Sequence, residues 1–229
     1  MTMKFRTEII IPQAASLLSH SHRIGMMGSC FAENIASKLE GAGFHIDVNP
    51  FGILYNPVSI ENALADLLYR KEYTENDLFF SNGLYQSFSH HGRFSGTDQR
   101  STLENMNRRL IASQQFLREA STLIVTFGTA KVYKLLSTGK VVSNCHKLSA
   151  NYFSHELLSV NEIVEPWLKR IQQLRQVNPK LNILFTISPI RHWKDGAHDN
   201  QLSKSLLVIA LHEIQRWADN VNYFPSYEL

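Results

Sequence analysis

Five short runs rich in β-branched and aliphatic residues, at 23–27, 45–48, 123–127, 182–187 and 221–224, are separated by stretches whose apolar residues recur every three or four positions. The short runs, bounded by turn signals, read as buried strands, and the longer periodic stretches read as amphipathic helices. Parallel strands need crossovers, and helices supply them, so this alternation predicts a doubly wound sheet.

The helical stretches carry their own punctuation. After the first run, Phe31, Ile35 and Leu39 recur every four residues, and Gly41 with Gly43 offers a left-handed stop. Ser101 with Glu104 has the spacing of a capping box and precedes Met106, Leu110 and Leu117 on one side of a helix. Ser159 with Glu162 repeats it before Ile163, Trp167, Ile171 and Leu174, and Asn178-Pro179 closes that helix. A last helix carries Leu202, Leu206, Ile209 or Ala210, Ile214 and Trp217. Two long connections interrupt the pattern, about 69–99 and about 131–158, and connections of that length read as lids or binding loops. The second should hold a β-hairpin, with strands at 132–136 and 140–143 around Ser137-Thr138-Gly139.

The chain's 229 residues, 44% of them hydrophobic, suffice for one α/β domain with a large core, and no linker or repeat divides residues 1–229. The net charge of +3 is dispersed. Its densest basic stretch, 169–175, lies on a helix that also has an apolar face, so it reads as a solvated surface and no nucleic-acid partner is expected. The first seven residues lack the apolar core of a secretory signal, and no apolar run is long enough for a bilayer, so a cytoplasmic chain without membrane contact is expected. Cys30 and Cys145 are too few for a disulfide framework and should be thiols. His90-His91 and Cys145-His146 lack the spacing that puts two ligands on one metal. No phosphate loop or G-x-G-x-x-G follows the first run, so neither a metal nor a nucleotide cofactor is expected.

In open parallel sheets ligands sit beyond the carboxyl ends of the strands, which singles out three strand-to-helix turns. The first is Met27-Gly28-Ser29-Cys30-Phe31, where glycine permits a sharp bend and a nucleophile-type residue opens a helix whose N-terminal N–H groups can meet a developing oxyanion. The second is Thr126-Phe127-Gly128-Thr129-Ala130, and the third is Ile187-Ser188-Pro189-Ile190-Arg191-His192. Arg191 and His192 should emerge at the same rim. Tyr85, Phe88, His90, His91 and Phe94 either stack on sugar rings in a lid or pack onto the domain.

Gly28-Ser29-Cys30-Phe31-Ala32 spells the motif that names the GSCFA family. The resemblance continues through Asn49-Pro50-Phe51-Gly52-Ile53-Leu54-Tyr55-Asn56-Pro57, Thr126-Phe127-Gly128-Thr129-Ala130, Asn144-Cys145-His146-Lys147, Ser188-Pro189-Ile190-Arg191-His192 and Tyr223-Phe224-Pro225-Ser226-Tyr227-Glu228. That family is similar to the SGNH, or GDSL-like, hydrolases, which implies a three-layer α/β/α, flavodoxin-like fold with a parallel five-stranded sheet in the order 2-1-3-4-5. It also implies ester hydrolysis or acyl transfer, here on a small acyl ester or acylated saccharide. Aligned without a gap to Gly-Asp-Ser-Leu, Cys30 takes the nucleophile's place and Ser29 the aspartate's, whereas a one-residue slip makes Ser29 the nucleophile. Gly52 resembles the oxyanion glycine of the second block. The third block, Gly-x-Asn-Asp, falls on Gly128-Thr129-Ala130-Lys131, so its side-chain oxyanion donor is missing, and Asn144, Asn49 or Asn56 would replace it unless backbone N–H groups suffice.

The resemblance implies a general base in an Asp-x-x-His beyond Tyr223-Phe224-Pro225-Ser226-Tyr227-Glu228, past Leu229, so the expectation is a chain lacking the family's C-terminal segment. His192, His146, or His198 of Asp195-Gly196-Ala197-His198 would have to serve, or the domain binds a ligand without turnover. An uncovered sheet face would also favour a homodimer.

Overall fold

A computed structural model describes residues 18–70, 72–191 and 193–229. Among the described residues, ten strands and five α-helices follow one another as β1 (Arg23–Gly28), α1 (Cys30–Gly41), β2 (His45–Val48), α2 (Pro57–Tyr69), β3 (Phe79–Ser81), β4 (Leu84–Gln86), α3 (Gln99–Glu119), β5 (Thr122–Phe127), β6 (Lys131–Leu135), β7 (Val141–Val142), β8 (Phe153–Leu157), α4 (Val160–Val177), β9 (Asn182–Ile187), α5 (Ala197–Trp217) and β10 (Val221–Phe224). The main sheet is parallel throughout and runs β2-β1-β5-β9-β10, the expected flavodoxin-like order.

Side-chain alternation divides the core in two. From β5, Leu123, Val125 and Phe127 enter a large cluster with Trp167, Phe185 and Ile214, packed under α2, α3, α4 and α5. On the opposite face Ile124 joins Ile24, Met26 and Ala36 beneath α1. Each fully buried large apolar side chain of this kind contributes about 1.5–3 kcal/mol.

Helix boundaries follow local chemistry. The Ser159–Glu162 capping box opens α4, and Asn178 caps its end. The first stop is made by Gly43 (φ 87°) rather than Gly41, with Phe44 N–H reaching back to the Leu39 carbonyl. Asp98, not Ser101, caps α3, because the Asp98 carboxylate accepts the Ser101 N–H at 2.8 Å and so starts the helix earlier. Helix α5 likewise begins before Leu202, at Ala197.

Both long connections are structured. The first holds the β3–β4 hairpin. In the second, the expected hairpin is β6–β7, and β8 adds on the far edge of β6 to make a three-stranded antiparallel sheet. The aromatic stretch of the first connection packs inward: Phe88 stacks on Phe79 at 4.2 Å, and Phe94 and His90 are buried. Among the described residues no helix is long and apolar enough to cross a membrane.

Candidate active site

The three strand-to-helix turns are brought side by side by register. Gly28 pairs with Thr126, and Thr126 pairs with Thr186, so the residues that follow them leave the sheet at one level. Hydrogen bonds then lace the turns together. Leu54 N–H donates to the Gly28 carbonyl at 3.0 Å, and the Gly128 and Thr129 N–H groups both donate to the Tyr55 carbonyl, at 2.7 and 3.0 Å. Ser188 N–H donates to the Phe127 carbonyl at 2.8 Å.

A residue the sequence did not single out ties the last two turns. The Lys204 side chain is 1% exposed, and its Nζ donates to the Gly128 carbonyl at 2.7 Å and to the Ser188 carbonyl at 2.6 Å. Burial pulls its ammonium down to about 8. The signal available in sequence was only a lysine on the inner side of an amphipathic helix, next to Ser203, whose Oγ accepts the Ala130 N–H at 2.7 Å.

At the elbow the two candidate nucleophiles differ in access. Ser29 is the residue before α1, yet its side chain makes no cap hydrogen bond, and its Oγ is enclosed with no partner. Cys30, the first residue of α1, is only half-buried. Ser29→Ala should therefore leave stability unchanged or raise it by about 1 kcal/mol, because it removes a buried hydroxyl that bonds to nothing; a loss above that in urea unfolding would contradict the enclosure.

The asparagines are largely committed. Asn49, held at φ 45°, accepts the Gly28 N–H at 2.8 Å through Oδ1 and donates to Glu33 at 3.2 Å, so it fixes the elbow. Arg93 donates to the same Glu33 oxygen at 2.5 Å. Asn56 caps α2, with Oδ1 accepting the Ser59 N–H at 2.8 Å and Nδ2 donating to Ser59 Oγ at 3.0 Å. Its amide is therefore occupied by the helix start that Pro57 continues.

Gly52, at φ 78°, spends its N–H on the Asn49 carbonyl at 2.8 Å. The backbone donors expected at Gly52, Gly128 and Thr129 are thus all engaged within the protein. The N-terminal turn of α1, which no side chain caps, is what the elbow offers an oxyanion.

A cleft of about 600 Å³ lies beside these turns, and its walls include Ile53, Tyr55, Asn56, Thr129, Asn144 and His91. Lys131, Tyr133, Cys145, His155, Lys194 and Asp195 complete its polar rim. Cys30 is not one of the residues lining it but is felt by Tyr55, which is: burial first, then the electrostatics of Cys30 and Glu33, push the Tyr55 phenol above its ordinary value. Cys145 is also raised by burial, with Lys194 acting the other way.

The histidines separate sharply. His146 (φ 50°) is buried, donates its backbone N–H to Oδ1 of the cleft residue Asn144 at 2.8 Å, and places Nε2 2.8 Å from the Ser87 carbonyl, with burial lowering its pKa. It holds a loop rather than facing the elbow. Arg191 is exposed and lies against the Trp193 ring at 5.7 Å. His192 lies outside the described residues. His91 is the histidine the structure adds to the cleft wall.

Among solved structures, an acetyl xylan esterase (Est2A) from the rumen bacterium Butyrivibrio proteoclasticus resembles the chain with a TM-score of 0.39 at 12% identity, covering 91% of this chain and 56% of that one. The chain thus spans little more than half of that esterase's length. Comparison with curated proteins gives no match. The model of the GSCFA family matches residues 23–229, nearly the whole chain, and with the Gly28-Ser29-Cys30-Phe31-Ala32 elbow in place this chain belongs to the GSCFA family.

Proposed function

We propose that this chain is an SGNH-type acyl-ester hydrolase or acyltransferase acting on a small acylated molecule, such as an acylated saccharide, with Cys30 as the nucleophile. The observation that carries the reading is the asymmetry of the elbow: Ser29 Oγ is sealed inside, while the Cys30 thiol stands half-buried at the head of α1, in register with the turns that leave β5 and β9. This favours the ungapped alignment to Gly-Asp-Ser-Leu over the slipped one.

In the proposed reaction Cys30 Sγ, losing its proton to a base, bonds to the ester carbonyl carbon. The carbonyl electron pair moves to oxygen, opposite the uncapped N–H groups of α1. The tetrahedral intermediate collapses with cleavage of the C–O bond, and the alkoxide leaves as an alcohol with the proton from the base. Water or a second hydroxyl then attacks the thioester, releasing acid or a new ester and restoring the thiol.

Exposure of the purified chain to p-nitrophenyl acetate, followed by intact-mass and peptide mapping, tests this directly. One acetyl group should appear on the peptide holding Cys30, survive Ser29→Ala and vanish in Cys30→Ala. An adduct on Ser29 would reverse the assignment of nucleophile. No adduct in any form would leave a ligand-binding domain without turnover.

A further inference from the structure

The acyl-transfer reading leaves one requirement unmet. The third-block asparagine that would donate a side-chain hydrogen bond to the oxyanion is replaced by Ala130, and the N–H groups of Gly52, Gly128 and Thr129 are already bonded to carbonyls of the chain. Asn56 is spent on the cap of α2, Asn49 on the elbow and Glu33, and the Oδ1 of Asn144 on the His146 N–H at 2.8 Å. Among the cleft-lining side chains that still carry a donor for that place are Asn144, through Nδ2, and His91.

We infer that His91, as a neutral imidazole with its proton on Nε2, donates the missing hydrogen bond to the substrate's carbonyl oxygen. The inference rests on the acyl-transfer reading above. Its ground is the way the ring is held. His91 N–H donates to the Phe51 carbonyl at 2.9 Å, in the same turn that carries Gly52. The Gly52 backbone lies so close against the His91 side chain that a Cβ at position 52 would run into the His91 Cβ. Glycine is needed there for its φ of 78° and for this approach, which seats the histidine on the cleft wall beside Tyr55.

The ring's own hydrogen bond fixes the tautomer. His91 precedes a short 3₁₀ turn, Gly92–Phe94, and Nδ1 accepts the Arg93 N–H at 3.3 Å. A ring nitrogen that accepts carries no proton, so in the neutral ring the proton sits on Nε2. That makes Nε2 a donor and withholds the lone pair a general base would need. The surroundings keep the ring neutral: burial lowers its pKa, the adjacent Arg93 lowers it further, and Glu33 on α1 opposes them. The other titratable groups on the walls of this cleft are Tyr55, Lys131, Tyr133, Cys145, His155, Lys194 and Asp195. A neutral imidazole used as an electrophile in this way is an established catalytic device.

The base and the donor roles make opposite forecasts. In His91→Gln the side-chain amide N–H can occupy the place of Nε2–H, whereas His91→Ala offers nothing. With p-nitrophenyl acetate, acetylation of Cys30 should slow by about 10²- to 10³-fold in His91→Ala, the usual effect of deleting one oxyanion donor, and stay within about tenfold of wild type in His91→Gln. Two-dimensional ¹H–¹⁵N spectra of the imidazole should show Nε2 protonated and Nδ1 unprotonated in the resting protein at pH 7.5 to 8.

Wild-type rates in His91→Ala overturn the inference while leaving the acyl-transfer reading intact. So does equal slowing in both variants, which marks a base or a structural role. A ring protonated on Nδ1 overturns it without reference to activity. A wild-type chain that never acylates removes the parent reading and the inference together.

Discussion

Gly28→Ala should cost more than about 4 kcal/mol and leave little folded protein, because it combines two penalties at the end of an inner strand of the sheet. Gly28 has φ 140°, a conformation that an L side chain rarely adopts, and this alone costs about 1–3 kcal/mol. A Cβ there would also fall well inside the contact distance of the Thr126 carbonyl oxygen, which belongs to the neighbouring strand. Neither partner can yield. Strand β1 lies between β2 and β5, and Gly28 is tied by its N–H to Asn49 and by its carbonyl to Leu54. Gly25→Ala is the control in the same strand: its nearest atom is the tip of Leu123, Cδ1, at 3.3 Å, so the loss should be about 1 kcal/mol or less. Urea unfolding of the two variants decides the matter. Equal losses would show that the elbow is not the constrained point, and the argument that glycine permits this turn would fall with it.

The same residues show why some of the fold could be read from the sequence and some could not. The five main strands were legible because their burial is written into consecutive apolar residues, as in β5, where all six positions are buried. Helix α2 was not anticipated. Its Ile60, Ala63, Leu64, Leu67 and Leu68 have helical spacing, and Asn56-Pro57 is a cap followed by proline, but the segment sits between loop-like stretches. Strand β8 has no comparable local pattern; Phe153-Ser154-His155-Glu156-Leu157 becomes a strand by pairing with β6. The site divides in the same way. Gly28, Ser29 and Cys30 were readable as a turn, since the glycine that permits the bend and the helix start that follows it are adjacent in sequence, although Asn49, Leu54 and Thr126 then hold it from afar. His91 reaches the cleft through Gly52, and Lys204 joins two turns that are distant in sequence, so both depend on contacts that only the folded chain makes.

Acid should unfold the protein early, through His90. The ring is 2% exposed, boxed between Phe51 at 5.0 Å, Tyr73 at 4.7 Å and Phe94 at 5.0 Å. Burial drives its pKa from 6.5 to about 3; Arg70 and His146 push the same way, and Asp77 pulls weakly back. The sign follows from which state binds the proton. The unfolded chain takes it up as pH falls through 6.5, while the folded ring refuses it until about 3, so the unfolded state is favoured increasingly across that window. His90 therefore contributes fully above pH 6.5 and loses about 1.4 kcal/mol per pH unit below it, a total of about 4–5 kcal/mol by pH 3. His146 and His91, both lowered chiefly by burial, steepen the same slope. His90→Leu isolates the single residue. It should begin less stable at pH 7, because leucine does not refill the aromatic box, yet its unfolding free energy should fall between pH 6.5 and 4 more gently than that of wild type, by one proton's slope. Urea titrations of both proteins at half-unit intervals measure that difference. Parallel slopes would mean that the folded ring accepts a proton near its ordinary pKa, and that water reaches the space between β4 and α3.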